Sequence, residues 1–336
     1  YFIFIEKNFN NLHTLSNQLI SPENILKIKS MQFQNVKKHM EFQINQKIQL
    51  FIQKQDYDIK VQQAIHRIQP FEKVKQATEM AREIGYTSIS HDIIFGLPFQ
   101  SIEAVKNTIL KTQELMPDRI AFYSYAHVPW IKGNGQRGYS EEHLPSAEIK
   151  RKQYQLGKEL LEEIGYVEIG MDHFALKTDD LYQSLEAKQL HRNFMGYTAS
   201  KTQLMIGLGV SSISDSWYGF AQNSKSIDEY QELVNNGELP VFRGHLLNDE
   251  DLIIRKHILN LMCHLQTNLS IKDNLFELPE ILERLEEMEK DQLIEVLPAS
   301  LQITEKGRPF VRNICMAFDL RLQRNKPETR LFSMTV

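Results

Sequence analysis

Two ten-residue segments of the chain share the pattern that points to its fold. Residues 83–92 are Glu-Ile-Gly-Tyr-Thr-Ser-Ile-Ser-His-Asp, and residues 163–172 are Glu-Ile-Gly-Tyr-Val-Glu-Ile-Gly-Met-Asp. Each predicts a helix that ends at the glycine, followed by a strand that begins at or just after the tyrosine and carries an aspartate. Active sites of β/α barrels lie at the carboxyl ends of the strands, so Asp92 and Asp172 are candidate functional carboxylates. The alternative is that α/β loops converge on such patterns without any function.

The residues around this repeat alternate between helical and strand-like patterns. We predict helices over residues 71–84, 102–116 and 147–164, the last two capped by Ser101 and Ser146. We predict strands over residues 87–95, 119–128, 166–175 and 204–213. This alternation favours an α/β fold in which parallel strands are covered by helices.

The last third of the chain has a different pattern. An apolar helix over residues 252–265, an acidic helix, a hairpin over residues 293–304 and a further helix predict a mainly helical domain. A helix followed by a β-hairpin resembles a winged-helix module, a class that often binds DNA. The acidic helix carries five glutamates beside Arg284 and Lys290, so its surface would repel phosphates. We therefore expect a lid or a docking domain.

Composition excludes several classes of protein. The chain has 336 residues, 42% of them hydrophobic and 24% charged, with a formal net charge of −4. These values exclude a disordered chain, a collagen-like repeat and a disulfide-rich secreted scaffold. A nucleic-acid partner would require a basic stripe, and a membrane span would require about 18 consecutive apolar residues, so we expect neither. We expect a cytoplasmic protein with reduced thiols, whose natural start precedes Tyr1.

Cysteine and glycine are scarce where catalytic loops often need them. Cys263 and Cys315 are the only cysteines, and both stand in apolar segments that are typical of buried thiols. No four-cysteine zinc or iron–sulfur site can therefore come from this chain alone. All 15 glycines lie at or beyond Gly85, which excludes a glycine-built phosphate cradle in the first quarter.

Polar residues gather in two later segments, residues 171–174 and 191–197. Asp172 and His173 are candidates for an acid–base pair, and Arg192 for a bidentate grip on a carboxylate. The alternative for each of them is a structural role: the histidine would hydrogen-bond to the backbone, and the arginine would be exposed to solvent. A zinc-dependent hydrolase using Asp172, His173 and His191 ranks last, because the histidine spacing matches no compact ligand pattern.

Eight motifs, in order, resemble the oxygen-independent coproporphyrinogen III oxidases of the radical S-adenosylmethionine superfamily. They are Gln55-Asp-Tyr-Asp, residues 61–67, His91-Asp-Ile-Ile-Phe-Gly-Leu-Pro98, Asp118-Arg-Ile-Ala-Phe-Tyr-Ser-Tyr-Ala-His127, Gly170-Met-Asp-His-Phe-Ala175, Leu190-His-Arg-Asn-Phe-Met-Gly-Tyr-Thr198, Gly207-Leu-Gly-Val-Ser-Ser-Ile213 and Arg312-Asn-Ile-Cys-Met316. The string His-Arg-Asn-Phe-x-Gly-Tyr-Thr separates these oxidases from relatives described as haem chaperones.

The resemblance implies an activity and an architecture. Such enzymes convert two propionates of coproporphyrinogen III into vinyl groups, which gives protoporphyrinogen IX in haem synthesis. They use S-adenosylmethionine and a [4Fe–4S] cluster, and we expect a separate electron donor and a monomer. The implied fold is an incomplete β/α (TIM-like) barrel with a mainly helical, winged-helix-like C-terminal domain. We assign residues 1–54 to an atypical N-terminal segment, 55–244 to the partial barrel and 245–336 to the C-terminal domain.

The motifs also imply site residues. Five residues fall where the family contacts S-adenosylmethionine: Gln55, Arg67, Asp92, Ala126 and Ile213. Four more are our candidates for binding the carboxylates of the substrate: His191, Arg192, Tyr197 and Arg243.

The N-terminal part departs from the family. The family holds its cluster through Cys-x-x-x-Cys-x-x-Cys and meets the cofactor with Gly-Gly-Gly-Thr-Pro, and neither motif occurs in this chain. We therefore predict no cluster ligands and no radical generation by the chain as printed. The alternative function is a non-catalytic porphyrin- or haem-binding protein, similar to a haem chaperone.

Overall fold

The structure is a computed structural model that describes residues 4–7, 49–53, 56–128, 139–201, 204–269 and 277–325. The helices are α1 (Ile59–Ala64), α2 (Phe71–Ile84), α3 (Ile102–Leu115), α4 (Ala147–Glu163), α5 (Asp180–Glu186), α6 (Ile227–Asn235), α7 (Asp249–His264), α8 (Leu278–Lys290), α9 (Val311–Phe318) and α10 (Leu320–Arg324). The strands are β1 (Phe4–Lys7), β2 (Gln49–Gln53), β3 (Ser88–Phe95), β4 (Arg119–Ser124), β5 (Tyr166–Gly170), β6 (His173–Leu176), β7 (His191–Asn193), β8 (Gly196–Thr198), β9 (Leu204–Gly207), β10 (Ile213–Ser216), β11 (Gly219–Asn223), β12 (Val241–Leu246), β13 (Gln266–Asn268), β14 (Ile294–Leu297) and β15 (Ser300–Ile303).

The repeated pattern predicts two helix ends correctly. Helix α2 ends at Gly85, and α4 ends two residues before Gly165. The φ angles of these glycines are 99° and 100°, a left-handed conformation that costs a residue with a Cβ about 1–2 kcal/mol. The side chains of Ser101 and Ser146 accept hydrogen bonds from backbone N–H groups in the first turns of α3 and α4, as predicted.

The main sheet has the strand order β2–β3–β4–β6–β5. Strands β2, β3 and β4 are parallel, whereas β6 is antiparallel to both of its neighbours. The prediction of one strand over residues 166–175 is therefore wrong, because the chain reverses after Gly170 and forms a hairpin. Met171 has a φ of 49°, and Asp172 lies with it in the turn. Asp92 lies within β3 as predicted, but Asp172 does not lie within a strand.

Helices α3 and α4 cover one face of this sheet. Ile93 and Phe95 from β3, Phe122 from β4 and Phe174 from β6 are buried there against α3 and α4. Side chains alternate between the two faces of a strand, so the intervening residues point away from these helices. On the opposite face, Ile94 packs near Val61 of α1, and Ala175 packs near Tyr197. Asp92 lies on this second face, between those two packed regions.

The second sheet is antiparallel, with the order β1–β9–β10–β11–β12. The prediction of one strand over residues 204–213 is also wrong, since β9 ends at Gly207 and β10 begins at Ile213. The Asn223 side chain holds the intervening loop by donating hydrogen bonds to the carbonyl oxygens of Gly207 and Gly209 over 3.1 and 3.0 Å.

The last third forms a three-stranded sheet, β13–β15–β14, packed against helices. Its core contains Leu261 of α7, Ile281 and Leu285 of α8, and Ile314 and Phe318 of α9. The predicted apolar helix, acidic helix, hairpin and final helix are thus present. Helix α7 begins three residues earlier than predicted, because Asn248 and Asp251 form a capping box.

Both cysteines are buried, as predicted, and neither forms a disulfide. In the part of the chain that the structure describes, no helix is both long and apolar enough to cross a membrane.

Candidate functional site

A row of side chains crosses the main sheet on the face opposite α3 and α4. Asp92 of β3 is paired in register with Ala121 of β4, which is paired with His173 of β6. Residues in one row of a sheet point to the same face, so Asp92 and His173 flank a small alanine. Tyr123 lies two residues beyond Ala121 and points to this face as well.

Asp92 has an unusual electrostatic environment. Burial raises the pKa of its carboxyl to about 6, and the nearby Arg67 guanidinium opposes that rise. The pKa of Tyr123 is raised to about 12, first by burial and then by the negative charge of Asp92. Asp92 and Arg67 thus interact electrostatically in the structure, while their predicted contacts with S-adenosylmethionine stay predictions. A half-buried acid beside an arginine is an arrangement that occurs often at functional sites.

Arg67 lies in a loop that a buried glutamine holds in place. The side-chain amide of Gln62 donates to the carbonyl oxygens of Asp56 and Gln69 over 2.8 and 3.1 Å, and it accepts from the N–H of Gln69. Sequence reasoning missed Gln62, because a glutamine in a short helix carries no distinctive signal. Its function is to fix the path of the chain past Arg67.

A second glutamine fixes the loop after β3. The amide nitrogen of Gln100 donates to the carboxylate of the buried Asp56 over 2.6 Å and to the Ile94 carbonyl over 2.9 Å. Its side-chain oxygen accepts from the N–H of Leu97. Gln100 therefore joins the Gly96-Leu-Pro98 motif to the segment that precedes α1. Sequence reasoning missed this residue too, although it follows that motif closely.

The remaining residues predicted to contact S-adenosylmethionine are more dispersed. Ala126 is exposed and lies two residues beyond β4, at the carboxyl edge of the main sheet. Ile213 is half-buried and begins β10 in the second sheet. Gln55 lies outside the described residues.

The β7–β8 hairpin carries three of the predicted substrate residues. Arg192 and Tyr197 are paired in register, and the guanidinium carbon of Arg192 lies 4.7 Å from the centre of the Tyr197 ring. The Tyr197 hydroxyl donates to the Met262 carbonyl over 2.9 Å, and its ring meets His173 edge-on. The neighbouring His191 is buried. Arg243 lies apart from them, exposed on β12, and donates to the Gln222 side chain.

Asp172 is anchored in the turn beside this hairpin. Its carbonyl oxygen accepts from the N–H of Phe122 over 2.7 Å, and its carboxylate forms a 2.8 Å ion pair with Arg312 of α9. Burial raises the pKa of Asp172, whereas Arg312 and Arg192 lower it. The Nδ1 atom of His173 has no hydrogen-bond partner. The Asp172 carboxylate pairs with Arg312 and not with the adjacent His173 ring, and the acid–base pair considered from the sequence stays a prediction.

Two histidines of this region stay neutral in the folded protein. Burial, and then Arg192, lower the pKa of His173 to about 3. Burial, and then Lys201, lower the pKa of His191 to about 4. Among the described residues, no group of three or more His, Cys, Asp and Glu side chains is arranged to hold a metal ion. The zinc-hydrolase hypothesis therefore gains no support in that part of the chain.

These two histidines predict a loss of stability in acid. Below a pH of about 6.5 these histidines bind protons in the unfolded chain but stay neutral in the folded protein. The free energy of unfolding therefore decreases as pH falls from about 6.5 toward 4. We expect His173→Gln and His191→Gln each to reduce this decrease by about 2 kcal/mol, measured by chemical denaturation at neutral and mildly acidic pH. His66→Gln, at an exposed position, is the matched control. Equal acid sensitivity in all three variants would contradict the assignment.

Known proteins match both the fold and the sequence. The structure aligns with the coproporphyrinogen III oxidase of Escherichia coli, described as a radical SAM enzyme, with a TM-score of 0.75 and 37% identity over 82% of this chain and 64% of that one. The fold is thus that of a radical SAM enzyme. No family model matches the chain.

Curated relatives identify the group within that class. Oxygen-independent coproporphyrinogen III oxidases are 38% identical over 275 residues in Helicobacter pylori and 36% identical over 292 residues in Synechocystis. The enzyme of Escherichia coli is 36% identical over 288 residues. These matches cover 80%, 84% and 84% of this chain. The chain is therefore homologous to the oxygen-independent coproporphyrinogen III oxidases, which confirms the resemblance. Since all three relatives carry the oxidase name, the haem-chaperone alternative is not favoured.

The chain spans about 60% of the length of these relatives, with matches covering 60%, 62% and 63% of them. The two cysteines in the printed sequence do not fit the cluster that radical SAM enzymes use. Cluster iron is bound by thiolates, and burial raises the pKa of both Cys263 and Cys315 to about 12. They also number two where the family motif requires three.

Proposed function

We propose that this chain provides the S-adenosylmethionine-binding and coproporphyrinogen-binding part of an oxygen-independent coproporphyrinogen III oxidase. The reaction converts two propionates of coproporphyrinogen III into vinyl groups and gives protoporphyrinogen IX. One observation carries the proposal: Asp92 lies on the face of the main sheet opposite α3 and α4, and the Arg67 guanidinium acts electrostatically on its carboxyl.

The residues on this face suit S-adenosylmethionine, which is the radical source in such enzymes. We propose that Arg67 binds the methionyl carboxylate and that Asp92 accepts hydrogen bonds from the amine or the ribose. Ala126 and Ile213 are proposed to pack on the adenosine, and Gln55 to complete the site. Ala121 places only a methyl group between Asp92 and His173 in this row.

The substrate is a tetracarboxylate, so its site requires several hydrogen-bond donors. We propose His191, Arg192, Tyr197 and Arg243 for this role. The first three share the β7–β8 hairpin, which supports a common site. Arg243 is supported only by its charge and exposure, since it already donates to Gln222.

The finer architecture follows the same homology. We propose that the parallel strands of the main sheet belong to an incomplete β/α barrel over residues 55–244. Residues 245–336 would form a winged-helix-like domain, and residues 1–54 an atypical remnant of the barrel start. A monomer that takes electrons from a separate donor protein completes the proposal.

Ligand binding tests the proposed function directly. We expect titration calorimetry to detect S-adenosylmethionine binding, and coproporphyrin III to quench the tryptophan fluorescence of the same preparation. The enzyme of Helicobacter pylori is the positive control. If neither ligand binds to a folded chain that passes a circular dichroism check, the proposed function is wrong.

We also propose that the chain as printed does not carry the cluster. Anaerobic reconstitution with iron and sulfide should then give no cluster absorbance in the visible range and no cleavage of S-adenosylmethionine. The Helicobacter pylori enzyme, treated in the same way, should show both. A stoichiometric cluster on this chain would contradict the proposal, because it would require Cys263, Cys315 or other side chains to serve as ligands.

A further inference from the structure

Arg192 is a half-buried cation with one shielded and unused hydrogen-bond donor. Its side chain is half-buried, and its Nη1 atom is shielded from solvent without any hydrogen-bond partner. A buried donor left without an acceptor costs about 1–3 kcal/mol, and more when the group is charged. An anionic ligand would supply the missing acceptor. In the part of the chain that the structure describes, no carboxylate accepts a hydrogen bond from Arg192.

The position of Arg192 is fixed from one side by an aromatic platform. Its guanidinium lies over the Tyr197 ring, and the Tyr197 hydroxyl is tied to the Met262 carbonyl of α7. Gly170 at the end of β5 lets the ring approach closely, since a Cβ there would lie 2.6 Å from the Tyr197 hydroxyl oxygen. Strand β5, the β7–β8 hairpin and helix α7 therefore hold the platform together.

The neighbouring acid does not neutralise Arg192. Asp172 is close enough for Arg192 to lower its pKa, but its carboxylate is engaged by Arg312 over 2.8 Å. His173 beside them stays neutral at pH 7. The group of Arg192, Arg312 and Asp172 therefore carries an excess positive charge, which suits a carboxylate ligand.

We propose that Arg192 is the receptor for one carboxylate of the porphyrinogen, and that Asp172, tied to α9 through Arg312, is its positioning residue. This inference rests on the proposed function, because that function supplies the tetracarboxylate. The carboxylate accepts from the unused Nη1–H of Arg192 while the Tyr197 ring supports the other side of the guanidinium. The Asp172–Arg312 pair links this subsite to the last third of the chain.

The test compares coproporphyrin III with its tetramethyl ester, which has the same ring but no carboxylates. We expect the wild-type chain to bind the acid more tightly than the ester. Arg192→Met should weaken binding of the acid roughly tenfold or more and leave the ester unchanged. Arg192→Lys, which keeps the charge, should recover part of the loss. Arg151→Met removes an exposed arginine of α4 and should change neither affinity.

The positioning role has its own readout. Asp172→Asn and Arg312→Met should each reduce the preference for acid over ester, while the affinity for S-adenosylmethionine and the midpoint of thermal unfolding stay close to wild type. The exchange Asp172→Arg with Arg312→Asp restores an ion pair but removes the negative charge beside Arg192. We expect it to keep the unfolding midpoint close to wild type without restoring the preference for the acid.

The outcomes separate this inference from the proposed function. If the wild-type chain binds coproporphyrin III and Arg192→Met binds it equally well, the receptor role of Arg192 is wrong and the proposed function stands. If Arg192→Met loses binding but Asp172→Asn keeps the full preference for the acid, the positioning role is wrong. If the wild-type chain does not bind coproporphyrin III, the proposed substrate and this inference both fail.

Discussion

Asp92→Asn is expected to weaken binding of S-adenosylmethionine roughly tenfold to hundredfold, which corresponds to the loss of a hydrogen bond to a charged acceptor. The substitution keeps the size of the side chain and removes its negative charge. Titration calorimetry of the wild-type chain and the variant measures the effect. Asp228→Asn, at an exposed position on α6, is the control and should bind normally. Unchanged affinity in Asp92→Asn would place the cofactor elsewhere.

The raised pKa of Asp92 adds a pH signature to this prediction. The carboxyl titrates with a pKa of about 6. Its ionised form accepts hydrogen bonds from an amine through both oxygens, whereas the protonated form carries a proton on one of them. Affinity should therefore increase as pH rises from 5 to 7 in the wild-type chain, and this increase should be absent from Asp92→Asn. A pH profile that both proteins share would assign the titration to another group.

The raised pKa of Asp92 also predicts that the weakened binding of Asp92→Asn is not caused by unfolding. A carboxyl whose pKa is higher in the folded than in the unfolded state loses its contribution to stability as pH rises from about 4 to about 6. At neutral pH the ionised Asp92 is therefore a cost to the fold. Asp92→Asn should be as stable as the wild-type chain at pH 7, or slightly more stable, in chemical denaturation.

Among glycine-to-alanine substitutions in the last third of the chain, Gly307→Ala is expected to cause the largest loss of stability. Gly307 is buried in a short 3-10 helix (Glu305–Phe310) after β15, where a Cβ would overlap the carbonyl oxygen of Leu293 and lie 2.8 Å from its carbonyl carbon. That carbonyl cannot move freely, because it accepts a hydrogen bond from the N–H of Thr304 over 3.0 Å. We expect a loss of about 3 kcal/mol or more in the free energy of unfolding.

A second glycine separates this steric effect from the general cost of adding a methyl group to a turn. Gly237 has a φ of 76° and no neighbouring atom within 4 Å of its would-be Cβ. Gly237→Ala should therefore cost only about 1–2 kcal/mol from backbone conformation. Equal losses in the two variants would show that the space at Gly307 is larger than the distances imply.

The sequence predicts helix ends, helix caps and buried cysteines correctly, because each depends on residues close together in the chain. Gly85 and Gly165 ended their helices, and Ser101 and Ser146 capped theirs, because each effect acts within a few residues. The two buried cysteines were predicted from their apolar neighbours for the same reason.

The errors arose where a strand reverses inside an apolar run. Periodicity over residues 166–175 and 204–213 is similar for one long strand and for two short strands, since the reversals at Met171 and Gly209 need only one or two residues of positive φ. The ion pair between Asp172 and Arg312 joins residues 140 positions apart, so no local pattern could reveal it. Asp92 and Arg67, which the motifs single out, do interact electrostatically, and their roles toward S-adenosylmethionine stay predictions.

The reversal at Met171 also determines the order in which the main sheet can be completed. Strand β5 reaches the sheet only through β6, because β6 lies between it and β4. During synthesis, the edge of β4 therefore stays uncovered until the chain has passed Leu176. Uncovered strand edges promote association between chains, so fragments that end between β4 and Leu176 should aggregate where slightly longer ones do not.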